Sequence, residues 1–187
     1  MGIYTIGHSN RLFTDFLSLL KEYGIQLLVD IRRYPGSHKF PHFNRELLHK
    51  QLTEQNIAYL WLEALGGRRR TGKNTNSPNI GMKSLGFRNY ADYMITNEFQ
   101  VAVRELIFRA TKSLAAVMCA EKLYWKCHRR LLSDYLFAQG IKVDHIIDTD
   151  RITTHTLTPG AVITDESSVV YPATASEESP ENLLFGD

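Results

Sequence analysis

Cysteine is nearly absent: Cys119 and Cys127 are the two in a chain of 187 residues. That excludes a disulfide framework and makes a reducing cytoplasmic compartment the default expectation. No apolar run is long enough to cross a bilayer as a helix, so no membrane partner is expected. Residues 1–7 carry neither a charged leader nor the long apolar stretch of a signal peptide, and they read directly as a strand. The glycine fingerprints of nucleotide sites are also missing. Gly7-His8-Ser9-Asn10 is neither a P-loop nor a dinucleotide-binding turn, and no cofactor is expected.

Acidic residues are scarce in the body of the chain and crowded at its end. From Asp148 to Asp187 eight acids face one base, a charge of −7, so the formal total of +2 leaves +9 for residues 1–147. A basic body favours anionic partners such as phosphate esters or nucleic acid, although ordinary solubility charge explains the number equally well. Apolar residues at 43% and aromatics at 11% suffice for a packed core.

Short continuous apolar runs at residues 3–6, 27–31, 57–62, 114–118 and 143–147 read as strands covered on both faces. Between them lie segments of helical periodicity, near residues 12–23, 44–55, 87–95, 98–110 and 126–139. Gly24 and Gly140 stand where helix ends favour glycine, and Asn44 stands where it can cap the second helix. Alternation of this kind implies an α/β fold: a mostly parallel sheet of about five strands with helices on both faces, three-layered and Rossmann-like. The expected domain is residues 1–150, followed by an irregular, acidic, partly disordered tail at residues 151–187 with at most a weak hairpin near 162–171. A long loop from Gly66 to Gly86 carries the basic run Arg68-Arg69-Arg70-Thr71-Gly72-Lys73. Its arginines could reach a phosphate backbone; an unstructured surface loop is the plainer reading.

Ligands of parallel sheets bind outside the carboxyl ends of the strands, which lets motifs distant in sequence be pooled. After the first strand, the turn at Gly7 can present backbone N–H groups to an anion, with Ser9 as a donor and His8 as a group that exchanges protons near neutrality. After the second, Asp30 and Arg32 point the same way; they form either a structural ion pair or an acid beside an anion clamp. After the fourth come Cys119-Ala120-Glu121 and then Cys127-His128-Arg129. Three roles compete for the thiols: a nucleophile with a histidine base, a metal ligand, or packed apolar residues. Adjacent Cys-His is poor ligand spacing and no fourth ligand follows, so no metal centre is expected. The continuation of an apolar run into Cys119 favours packing, with Cys119 kept as a possible nucleophile.

Tyr4-Thr5-Ile6-Gly7-His8-Ser9, Asp30-Ile31-Arg32 with Pro35 and Ser37, Pro41-His42-Phe43-Asn44, Leu65-Gly66-Gly67, and Cys119-Ala120-Glu121 with Cys127-His128-Arg129 fall in order. Together they resemble the family catalogued as domain of unknown function 488. The resemblance implies an α/β fold and a site built from the first, second and fourth strand ends; it implies no reaction. His38 stands where the family pattern has arginine, and Leu123-Tyr124 replaces a more polar stretch. Both departures bear on the substrate. The expected site has His8, Asp30, Glu121 and His128 in acid–base roles, with Gly7, Ser9, Arg32, Ser37 and Arg129 binding substrate. The expected function is an enzyme of hydrolase or transferase type on an anionic small molecule or nucleic acid. A non-catalytic nucleic-acid-binding or sensing module is the alternative.

Overall fold

The computed structural model describes residues 1–69 and 76–173. Five parallel strands form where the apolar runs predict them: β1 (Gly2–Gly7), β2 (Leu27–Asp30), β3 (Ala58–Trp61), β4 (Ala115–Cys119) and β5 (Lys142–Asp148). A sixth, β6 (Arg151–Thr154), pairs antiparallel with β5, and the sheet order is β3-β2-β4-β1-β5-β6. Side chains alternate across each strand. Leu28, Ala116, Met118 and Ile6 face α1 (Phe13–Glu22) and α2 (Arg45–Thr53). Val29, Val117, Ile3 and Val143 face α3 (Leu85–Met94), α4 (Asn97–Ala110) and α5 (Arg129–Ala138). The result is a three-layer α/β fold.

Two helix boundaries differ from the periodicity. Asn44 occupies the N-cap position of α2, but its side-chain oxygen accepts from the backbone N–H of Ser37 instead of capping the helix. It ties down the Pro35-Gly36-Ser37 loop. The helix expected from residue 126 begins at Arg129, because Cys127 is extended, with φ −131° and ψ 152°, and separates α5 from a short 3-10 turn at Tyr124–Lys126. Gly24 and Gly140 do end helices, with φ of +64° and +73°.

The chain past Asp150 continues to pack as far as it is described. The hairpin forms as β7 (Val162–Ile163) and β8 (Val169–Val170). Val169 and Tyr171 enter the core, and Asn79 of the long loop accepts the Tyr171 backbone N–H. Residues 70–75, within the basic run, and residues 174–187, the end of the acidic segment, lie outside the described residues.

Truncation after Asp150 is expected to abolish the cooperative thermal melt. The fully buried Asp134 carboxylate takes bonds from His155, the Thr158 backbone and the Tyr171 hydroxyl, and all three follow residue 150. Stranding a buried charge costs roughly 3–5 kcal/mol, a large part of a typical domain's stability. A truncated chain that still melts cooperatively by circular dichroism would show residues 151–173 to be accessory.

Candidate functional site

The connection after β1 leads through α1 toward β2, while that after β4 leads through α5 toward β5, on the opposite face. Because β1 and β4 are neighbours, their connections diverge and leave a crevice at their carboxyl ends, where ligands of such sheets sit. Pairing persists past the strands: His8 N–H donates to Cys119 O at 3.0 Å and Ser9 N–H to Ala120 O at 2.9 Å. These two amides are therefore spent on β4 and are not free for an anion, contrary to the reading of the turn as an amide cradle. Gly7 serves a different need. A Cβ there would lie 1.8 Å from the Glu121 carbonyl oxygen, so only glycine lets the Cys-Ala-Glu turn cross it. Ser9 holds a left-handed backbone, φ +51°, at this crossing.

On the β2 side, Asp30 is fully buried and saturated. It accepts from the Arg32 backbone N–H, from Arg32 Nε and Nη2, and from the Tyr59 hydroxyl at 2.7 Å. Arg32 also donates to Phe43 O at 2.8 Å and to His8 Nε2 at 3.2 Å. Guanidinium has only donors, so His8 Nε2 is an acceptor and its proton sits on Nδ1, bonded to Ser9 O at 2.9 Å. The Phe43 ring stacks on His8 at 4.2 Å. Burial, and secondarily Arg32, lowers the His8 pKa to about 3. His8 thus stays neutral at physiological pH, contrary to the expectation of a group titrating near neutrality.

On the β4 side, Arg129 is 1% exposed and braces the turn from below. Its guanidinium donates to Thr5 Oγ1 at 3.2 Å and to the backbone carbonyls of Glu121 and Lys122. The two thiols meet beside it, with 2.9 Å between Cys119 Sγ and Cys127 Sγ. Both are free and buried. Cys127 Sγ also lies 3.4 Å from His128 Nδ1 and accepts from the Arg129 backbone N–H at 3.5 Å, at the N-terminus of α5. The hydrogen bond from Cys119, then His128 and Arg129, holds the Cys127 thiol well below its ordinary pKa. Burial, and then its bond to Cys127, pushes Cys119 well above the ordinary value. The two shifts run in opposite directions and belong to the pair, with the thiolate favoured on Cys127 rather than on Cys119.

A cleft of about 1310 Å³ opens over these groups. Among the predicted residues, His8, Ser9, Arg32, Ser37, Cys119, Glu121 and His128 line it; Gly7, Asp30 and Arg129 lie beneath it as supports. Among the described residues, six cations line the cleft (Arg32, Arg33, Lys39, Arg68, Arg69 and Lys126) and one acid, Glu121. Lys39, Arg68 and Lys126 are exposed, whereas Arg69 is bonded to the carbonyls of Ala64 and Gly66 and stacked over Tyr93. Among the described residues, no group of three or more His, Cys, Asp or Glu side chains is disposed to hold a metal ion. No described helix is long and apolar enough to cross a membrane.

The family model described as Domain of unknown function DUF488 matches residues 13–136. The chain belongs to this family. No curated protein and no solved structure matches it.

Each DUF488-like segment has a structural reason in this chain. A Cβ on Gly67 would fall 2.3 Å from His128 Nδ1, and one on Gly66 would press on the Arg33 backbone, so the Leu-Gly-Gly segment seats the imidazole against the second strand end. The Pro-His-Phe-Asn segment supplies the Phe43 stack on His8 and the Asn44 anchor on Ser37. Sequence reasoning missed a buried relay in this DUF488 fold. Arg129 donates to Thr5, Thr5 Oγ1 sits 2.7 Å from His145 Nδ1, His145 Nε2 sits 3.0 Å from His155 Nδ1, and His155 Nε2 sits 2.9 Å from Asp134. With a cation at one end and a carboxylate at the other, every hydrogen points one way, toward Asp134. The available signal was His145 inside an apolar strand, a polar group that burial obliges to find partners.

Proposed function

We propose that this chain is an enzyme of hydrolase or transferase type that acts on an anionic substrate, a nucleotide or nucleic-acid phosphate group, with Cys127 as its nucleophile. The observation that carries the reading is the position of Cys127: a thiol with three hydrogen-bond partners favouring its thiolate, at the floor of a cleft whose described lining holds six cations and one acid. Lys39, Arg68 and Lys126 gather the anion, and Ser9 and Ser37 supply neutral hydrogen bonds at the two loops facing it. The thiolate attacks the electrophilic centre, and the leaving group departs with a proton. His128 is suited to give that proton. Its Nδ1 lies 3.4 Å from the Cys127 sulfur, at the attacked centre, while Nε2 is buried and shielded from the cleft. Water, activated by Glu121, or an acceptor hydroxyl then releases the covalent intermediate. Cys119 is reassigned in this reading from candidate nucleophile to proton holder. Asp30, Arg32 and Arg129 position their neighbours, and His8 is a neutral spacer. A reducing cytoplasmic compartment, which keeps both thiols free, suits this chemistry.

Alkylation with iodoacetamide tests the reading. Cys127 is expected to be modified at pH 6–7 roughly tenfold faster than free cysteine, Cys127→Ser to lose the modification, and a nucleoside phosphate or short oligonucleotide to slow it, less so as salt rises. Alkylation that follows the profile of a free thiol and ignores every anion tried would remove the proposal.

A further inference from the structure

We infer that Cys119 and Cys127 form a two-electron redox couple in which Cys127 takes the oxidising equivalent from a peroxide and Cys119 resolves it as an intramolecular disulfide. The argument is one of placement. The two sulfurs are 2.9 Å apart, so little movement separates the dithiol from the bonded state. Both thiols line the cleft; Cys127 is the more exposed, at 7% against 3% for Cys119 at the end of β4. An oxidant entering the cleft therefore meets the pair already in contact, with His128 and the Arg129 backbone N–H on the Cys127 side. The surroundings also suit the exchange of charge. Arg129 braces the turn between the two cysteines, and the His128 imidazole lies against Cys127 on the other side.

The steps balance. The Cys127 thiolate attacks one peroxide oxygen, the O–O bond breaks, and Cys127 becomes a sulfenic acid as hydroxide or alkoxide leaves. Cys119 sulfur then attacks Cys127 sulfur, the S–O bond breaks, and the Cys119 proton departs with hydroxide as water. Two thiol sulfurs have lost two electrons and the peroxide has gained them. A small dithiol or thioredoxin-like reductant returns both sulfurs to thiols by exchange. The resolving step diverts Cys127 from the irreversible sulfinic state, the hazard a low-pKa cysteine in an open cleft otherwise faces. It also removes the nucleophile of the proposed transfer reaction while oxidant persists.

The couple shares its thiolate with the proposed function but does not depend on any anionic substrate, and the measurements separate the two. The full chain is treated with a small excess of hydrogen peroxide at pH 7, quenched, and read by intact mass and free-thiol count. The expected result is loss of both thiols with a mass lower by two hydrogens, reversed by dithiothreitol. Cys119→Ser is expected to stop at a sulfenic acid that dimedone traps on Cys127. Cys127→Ser is expected to keep Cys119 as a free thiol under the same dose. Wild-type protein that retains both thiols, or that accumulates dimedone-reactive Cys127 without a disulfide, would overturn the inference. The wild-type readout stands alone if either variant fails to fold. Fast, anion-sensitive alkylation alongside a failed disulfide would remove this inference and leave the proposed function standing.

Discussion

Gly7→Ala is expected to destabilise the protein by about 3 kcal/mol or more and to uncouple the Cys127 site, although alanine is among the mildest changes available. The added methyl would lie 1.8 Å from the Glu121 carbonyl oxygen and 2.8 Å from the Lys122 Cα, both backbone atoms without a rotamer to yield. Overpacking of this kind ordinarily costs roughly 1–3 kcal/mol, and here relief means lifting the turn after β4. That turn is held by the His8 and Ser9 amides and by the Arg129 guanidinium, so lifting it strands a buried cation. The melting temperature should fall by roughly 6–12 °C. The folded fraction should also lose the fast alkylation of Cys127, because Arg129 contributes both the brace and the backbone N–H at its sulfur. A variant with wild-type melting and wild-type thiol reactivity would mean that the chain accommodates the methyl, and that Gly7 is dispensable.

The parallel strands were legible because each is a short, continuous apolar run, the signature of a strand covered on both faces. β6 carried no such signal, and the hairpin near 162–171 only a weak one. All four residues of β6 are exposed, and β7 and β8 are two residues each, so their contribution rests on single side chains such as Tyr171 that bury themselves far from their neighbours in sequence. At the site, the strand-end rule was enough to bring His8, Arg32, Glu121 and His128 to one cleft. Which charges face the ligand was not legible, because that depends on counting donors in three dimensions. In sequence Arg32 reads as either an ion pair with Asp30 or an anion clamp, and Arg129 as a substrate binder; Asp30, His8 and Phe43 take up the first, and backbone carbonyls and Thr5 hold the second. Of the cations left at the surface, Lys39 and Lys126 belong to no motif, whereas Arg68 opens the basic run that sequence already offers to a phosphate. The thiols show the same limit. The apolar run into Cys119 correctly indicated a buried sulfur, but the neighbours that favour the thiolate of Cys127 come from β4 and from the start of α5.

Acid should unfold this protein from an unusually high pH, since two imidazoles are held neutral inside it. Burial first, and Arg32 next, lowers His8 to about 3; burial first, and then His155 and Arg129, lowers His145 to about 2. His8 faces Arg32, the Phe43 ring, and the charges of Arg11 and His42. His145 lies between Thr5, His155 and the Tyr124 ring stacked 3.5 Å above it. Both folded pKa values lie below that of an unfolded histidine, so between those values the unfolded chain binds more protons. The stabilisation from neutral burial is complete above about pH 6.5 and is lost as pH falls below it. Each imidazole contributes a limiting slope of roughly 1.4 kcal/mol per pH unit, approached below pH 6.5, so the pair removes about 3 kcal/mol between pH 6.5 and 5. Carboxylates titrate mostly below that window and steepen the loss later. Urea unfolding at pH 7.5, 6.5, 5.8 and 5 should show the midpoint falling through this range at constant m. His145→Gln keeps a donor and an acceptor in the relay but binds no proton. It should lower stability at pH 7.5 and reduce the acid slope by about half. An unchanged slope in that variant, or a wild-type midpoint that stays level down to pH 5, would place the protons elsewhere and contradict the one-way relay from Arg129 to Asp134.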